Sequence, residues 1–164
     1  MAIKNHDPLG LMVADTDDLR VVSAVMQDAV AKVGEMAYLP RARRFALLAN
    51  RFVWEEGATK ERGPWHRVRT GLHFEDVTRV RTRALDMGDK AAVVSILAIG
   101  FEPAGAEEGG EEGAGTITLS LGGGGAVALS VDAINAAAED LSPPWRTQNK
   151  PDHALDGASD GEVA

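Results

Sequence analysis

Residues 67–83 read RVRTGLHFEDVTRVRTR; the tetrapeptide RVRT occurs twice, and Arg67, Arg69, Arg79, Arg81 and Arg83 fall at alternate positions. Side chains alternate across a β-strand, so residues 65–74 and 78–85 read as two arginine strands. The parity of their connection decides where the charges point. If Glu75-Asp76 were a two-residue turn, Arg79 and Arg81 would lie beside Leu72 and Thr70 on the core side, at a cost of several kcal/mol each. An odd-length connection sets Phe74 opposite Thr78. Val68, Thr70, Leu72, Phe74, Val80, Thr82 and Ala84 then face inward, and Arg67, Arg69, His73, Arg79, Arg81 and Arg83 face outward together. The expectation is a hairpin with one basic face.

Outward from this stretch, strand signals dominate. Residues 44–56 (RFALLANRFVWEE) read as apolar on both faces at their start, as for a central strand, and Asn50-Arg51 interrupt the run where a bulge would accommodate them. Residues 93–101 (VVSILAIGF) read as a buried strand. Residues 116–121 and 126–131 (TITLSL and AVALSV) flank GGGG as a hairpin. Ile117, Leu119 and Leu121 match Val127, Leu129 and Val131 only across an odd loop, so GGGG belongs to a five-residue or bulged turn. Residues 33–39 (VGEMAYL) lead to a turn at Pro40, and residues 9–13 (LGLMV) read as a short first strand.

Helix signals are fewer. Residues 15–30 (DTDDLRVVSAVMQDAV) carry an Asp15 or Thr16 cap and acidic residues in the first turn, and Leu19, Val22, Met26, Ala29 and Val33 keep a three-four spacing. Residues 132–141 (DAINAAAEDL) read as a short C-terminal helix capped by Asp132, with Ile134, Ala137, Ala138 and Leu141 on one side. The fold class is therefore α+β, with a mainly antiparallel sheet of about seven or eight strands and a helix towards each terminus. A meander or curled roll in this order would resemble pleckstrin-homology-like rolls. Residues 1–147 form a single domain on this reading, and the polar, acidic residues 148–164 a disordered tail.

The totals agree. The 164 residues are 45% apolar and 26% charged, without cysteine, which excludes disulfides and thiolate metal sites. The N-terminal residues lack a signal-peptide pattern and no apolar run approaches ~20 residues. A soluble, cytoplasmic protein without membrane contact is expected. Residues 41–83 hold 11 of the 17 Lys and Arg and 5 of the 25 Asp and Glu, a surplus of 6 positive charges. The rest holds 6 and 20, a deficit of 14. Such asymmetry fits an anion-facing surface on a body that otherwise repels anions.

Other chemistry finds little support. GGGG joins strand to strand and no GK[ST] follows, so it is a turn and not a phosphate loop; no cofactor is expected. His6, His66, His73 and His153 lack metal-ligand spacing, and Glu107, Glu108, Glu111 and Glu112 lack the pattern of a calcium loop, so no metal is expected either. His73 with Glu75 or Asp76 could form a His-carboxylate pair, and no serine sits in a nucleophile elbow. Trp54 reads as core packing and Trp145, after Pro143-Pro144, as an anchor of the C-terminal segment to the core.

Five stretches, QDAVAKVGEMAYLP, RRFALLANRFVWE, FEDVTRVRTR, PPW and KPDH, carry a resemblance over most of the chain from about Leu9 to His153, with the acidic insertion after Pro103 and the final tail outside it. They resemble a bacterial family, domain of unknown function 2948. The resemblance implies a small cytoplasmic bacterial protein and carries over no activity, cofactor or catalytic residue.

The function expected from these readings is non-catalytic: a binding module whose outward arginines contact an anionic ligand or an acidic protein surface. Exposed charge is the ordinary state of arginine, so a merely solvated sheet face is the reading to beat. Nucleic acid is disfavoured by the pI of about 5.0 and the few aromatics. The competing classes are a small-molecule binder or enzyme with a pocket, and a homo-oligomeric scaffold, such as a homodimer, joined through an apolar surface.

Overall fold

The computed structural model describes residues 7–54, 64–105 and 113–148. These build one antiparallel sheet of 11 strands, not closed into a barrel, and one α-helix. The strands are β1 (Gly10–Val13), β2 (Val30–Lys32), β3 (Met36–Leu39), β4 (Arg44–Phe52), β5 (Trp65–Phe74) and β6 (Val77–Arg83). They continue with β7 (Val93–Pro103), β8 (Gly115–Leu121), β9 (Ala126–Val131), β10 (Ala136–Asp140) and β11 (Trp145–Thr147). Their spatial order is β1-β10-β5-β4-β2-β7-β8-β9-β6, with β3 also on β4 and β11 also on β5. The sheet is thus richer in strands than the seven or eight expected.

The strand β7 joins two halves. Its start, Val93–Ser95, pairs with β2, and the rest pairs with β8 after a register shift between Ile96 and Ala98. Both halves face one hydrophobic cluster. Phe45, Leu47, Leu72, Phe74, Ala136 and Ala138 come from the first half, and Ile99, Ile117, Leu119, Val127 and Leu129 from the second. The helix α1 (Thr16–Val25) adds Leu19, Val22 and, just past its end, Met26. Asp15 caps it by accepting from the Asp18 amide at 2.8 Å, and Asp18 in return accepts from the Ala14 amide at 2.9 Å. The helix is shorter than its apolar spacing suggests. Asp28 takes a left-handed backbone (φ 62°), and Ala29 and Val33 are buried outside the helix. The Asp28 amide and the Ala29 carbonyl bond with Ile96 of β7 instead, so strand pairing ends the helix.

Three further expectations are corrected. The arginine hairpin does not form: β5 pairs with β4 along one edge and with β10 and β11 along the other, leaving none for β6, which pairs with β9. At the corner, the Glu75 amide donates to Asn135, Asp76 adopts φ 57°, and the Val77 amide donates to Arg43, steering the chain out of the β5 neighbourhood. Residues 136–140 are a strand and not a helix. Alanine favours helix weakly, but here Ala136 to Glu139 sit between β1 and β5 and pair with both. Ala136, Ala138 and Asp140 are buried while Ala137 and Glu139 are less so, the period of a strand. With that helix replaced by a strand, the feature that suggested a pleckstrin-homology-like roll is lost. Finally, Asn50-Arg51 cause no bulge: the β4–β5 register runs unbroken from Phe45↔Phe74 to Phe52↔Arg67.

The β8–β9 turn follows the parity argument. Ser120 pairs with Ala126, leaving five residues between them, and Ile117 and Leu119 face Leu129 and Val127. Gly123 (φ 81°) and Gly124 (φ 86°) occupy the left-handed region that the turn requires.

Candidate functional site

Each arginine strand keeps the alternation expected of it. On β5, His66, Val68, Thr70, Leu72 and Phe74 are buried, while Arg67, Arg69 and His73 lie on the other face. On β6, a register shift between Val77 and Arg79 keeps Val77 and the half-buried Val80 on the core side. Arg79, Arg81 and Arg83 consequently point outward. The two rows occupy different halves of the sheet, so the six residues do not make a single basic face.

The β5 row is engaged within the chain. Arg67 donates to the Asn50 carbonyl at 3.0 Å and lies 6.0 Å from the Phe52 ring centre. Burial lowers its pKa from the ordinary value, opposed by the charge of Asp28. Arg69 bonds Glu35 at 2.8 Å. His73 Nδ1 lies 2.8 Å from Glu75, whose carboxylate also accepts from Arg44 Nε at 2.7 Å. The Arg44 hydrogen bond is the chief cause holding the Glu75 carboxyl below its usual range. The His-carboxylate pair expected from sequence thus exists with Glu75, but its carboxylate is already neutralised by Arg44.

The β6 row differs. Arg79, Arg81 and Arg83 are exposed and form no ion pair or side-chain hydrogen bond with the described residues. The register places Ser130, Ala128 and Ala126 of β9 beside them, then Thr116, Thr118 and Ser120 of β8, then Glu102, Gly100 and Ala98 of β7. These residues share the outer face, because Leu129, Ile117, Leu119 and Ile99 between them are buried. The result is a low, hydroxyl-rich plain of short side chains with three guanidinium groups standing along one margin. The only carboxylate in these rows, Glu102, is at the opposite margin.

A third constellation was not legible as a site. Arg51 and Asp140 have fully buried side chains and form a two-point pair, Nε to Oδ1 at 2.9 Å and Nη2 to Oδ2 at 2.8 Å. Thr70 Oγ1 donates to Oδ1 and the Leu9 amide to Oδ2, each at 2.8 Å. Burial pushes the Asp140 carboxyl upward, but the Arg51 hydrogen bond, the Leu9 amide, the Arg51 charge and the Thr70 hydroxyl together hold it below its ordinary value. This arrangement ties β4, β5, β10 and the lead-in to β1 together, a structural role. The available signal was parity: Arg51 shares the buried face of Phe45, Leu47 and Ala49 and needs an internal carboxylate.

The tryptophans divide. Trp54 packs edge-on against Phe52 at 4.6 Å and donates to the Gln27 carbonyl at 3.0 Å. Trp145 is 37% exposed while Pro144 is buried, so the C-terminal segment is held by β11 pairing with β5 and not by a buried indole. Among the described residues no group of three or more His, Asp or Glu is arranged to hold a metal ion, and no helix is long and apolar enough to cross a membrane. Glu107, Glu108, Glu111, Glu112, His6, His153 and residues 149–164 lie outside the described residues.

The strand-rich architecture and paired buried charges define a β-rich domain with one helix. The chain belongs to the family described as protein of unknown function DUF2948, whose model matches residues 9–153. No curated protein and no solved structure matches it.

Proposed function

We propose that the protein is a non-catalytic binding module that contacts an acidic protein surface through Arg79, Arg81 and Arg83. The observation carrying this reading is that these three cations are exposed and without an ionic partner among the described residues, whereas Arg69 is paired within the chain. Like charges at alternate positions repel, an unfavourable arrangement that an approaching carboxylate relieves. The net charge of -8 opposes an acidic partner at long range, but exposed charges are screened beyond about 8 Å at physiological salt. Nucleic acid fits less well, because the face beside the arginines carries no aromatic residue on which a base could stack.

The test is retention on immobilised poly-glutamate and on heparin as salt is raised. The wild-type protein is retained at low salt, and the R79E/R81E/R83E variant, with native circular dichroism, elutes with the void. Equal retention of the two proteins refutes the assignment.

A second reading has one observation in its favour. Met12 (78% exposed) and Leu141 (53%) are apolar side chains left open at the β1–β10–β5 side of the sheet. Self-association there would make the protein a homo-oligomeric scaffold, with mass rising with concentration and falling on Met12→Lys substitution.

A further inference from the structure

The strand β6 is the last in the spatial order of the sheet and, among the described residues, is paired only with β9. The beginning of its outer edge is closed: the Val77 amide donates to the Arg43 carbonyl, and the Tyr38 hydroxyl donates to the Val77 carbonyl. From Thr78 to Arg83 no such backbone cover exists among the described residues. An edge of this length offers a row of unpaired amides and carbonyls to any extended segment of suitable side chains. Its two faces differ sharply. One presents Arg79, Arg81 and Arg83; the other presents half-buried Val80, packed at the margin of the core, and Thr82.

Resting on the binding reading above, we propose that the partner is an extended acidic polypeptide segment that adds to β6 as a further strand. Its carboxylates alternate with small apolar side chains. Directly opposed cross-strand positions lie close enough for ion pairing, so carboxylates spaced by two residues meet the three arginines in turn. The intervening residues continue the core margin beside Val80. A second copy of this chain is a poor occupant of the same edge. Pairing β6 with β6 about a two-fold axis sets the arginine rows against each other on one face, a destabilising arrangement of like charges. The plain next to the arginines has only short side chains, so it offers few groups for a folded acidic surface to grip. The edge supplies a regular row of backbone donors and acceptors, where the plain supplies only short hydroxyls.

The experiment uses the full chain and a fluorescein-labelled octapeptide of alternating Glu and Val. Its controls are the isomer with four Glu followed by four Val, and two forms of the alternating peptide N-methylated on either alternate set of amides. Strand addition requires one amide set to face β6 and the other to face solvent. One methylated form therefore loses binding and the other keeps it. The block isomer binds about tenfold or more weakly, and R81E weakens the alternating peptide by about tenfold. Alternate amides between Thr78 and Arg83 gain protection from hydrogen exchange when the peptide is added. Equal binding of both methylated forms, or no new protection in β6, overturns strand addition while leaving an anion-binding face intact. Binding of neither the peptides nor poly-glutamate removes both the strand addition and the function on which it rests.

Discussion

Replacing Arg51 with methionine strips the cation from the buried pair while keeping much of its aliphatic bulk. Arg51 Nε and Nη2, the Thr70 hydroxyl and the Leu9 amide all donate to Asp140. The substitution leaves a fully buried carboxylate that keeps the Thr70 and Leu9 hydrogen bonds but loses both guanidinium bonds. Breaking a buried pair from one side costs about 3–5 kcal/mol, a large part of the roughly 5–15 kcal/mol typical of a folded domain. For a domain of this size that corresponds to a fall in Tm of roughly 6–20 °C. Removing Asp140 as well, as R51M/D140L with Thr70→Val, replaces the three side chains with apolar groups and leaves the Leu9 amide without its acceptor. Exchanging a buried pair for apolar groups is often neutral, so the triple variant recovers part of the loss, less the cost of the unpaired amide.

The pH dependence identifies the cause. In the wild type the folded pKa of Asp140 is depressed below its ordinary value of 3.8. Its contribution to stability is present above the unfolded value and is lost as pH falls through the folded one. In R51M, burial is no longer outweighed and the folded pKa rises above the unfolded value. The penalty then applies at neutral pH and fades as acid protonates the carboxyl. The gap between wild type and R51M is widest near neutrality, begins to narrow as pH falls through the variant's raised folded value, and narrows further as pH falls through the wild type's depressed one. Urea unfolding followed by tryptophan fluorescence between pH 3 and 8 measures it. A gap under about 1 kcal/mol, the range of an exposed pair, or one independent of pH, refutes the reasoning.

Two other outcomes test packing and local electrostatics. A Cβ at Gly115 would lie 2.3 Å from the Glu102 carbonyl oxygen and 2.6 Å from the Phe101 ring, whereas one at Gly100 meets nothing within 4 Å. G115A therefore destabilises by about 1–3 kcal/mol and G100A by less than about 0.5 kcal/mol, read from thermal unfolding of the two variants. In carboxyl-detected NMR titrations, Glu75 titrates below the ordinary glutamate range, and Arg44→Met, by removing the chief cause of that depression, moves its midpoint upward. An unchanged Glu75 midpoint in R44M shows that the Arg44 contact is not the cause.

What sequence could read was local, and what it misread was pairing. Alternation placed Val68, Thr70, Leu72 and Phe74 inward and Arg67, Arg69 and His73 outward, because the two faces of a strand are fixed by its own residues. Parity likewise required an odd turn at GGGG, because both of its flanking strands bury one face. The choice of neighbour is not a local property. Nothing within residues 67–83 reveals that both edges of β5 are taken by β4, β10 and β11. The misassigned β10 has the same origin: its alanines favour helix in isolation, and the strands that override them are distant in sequence. Arg51 shows the reverse case. Strand parity with Phe45, Leu47 and Ala49 puts it on the buried face, a signal set aside by the bulge expected at Asn50-Arg51, and the acid it requires, Asp140, is 89 residues away.

The arrangement of charge also explains how an open sheet of this size manages its ends. One end is β1, only four residues long and continuous with a lead-in whose Leu9 amide is bound by Asp140. The other end, β6, is longer and has no cover past its start among the described residues, the geometry most prone to self-pairing. Arginine at alternate positions opposes that outcome, since two copies joined edge to edge bring like charges into register. The same spacing cannot distinguish its own copy from other chains except by the sign of what they carry. A segment with carboxylates at a two-residue interval meets attraction where a second β6 meets repulsion. A basic segment is excluded by the same rule, and an apolar one leaves the arginine repulsion unrelieved. Under the proposed strand addition, protection against self-addition and preference for an acidic strand are one property of β6, set by three charges on one face.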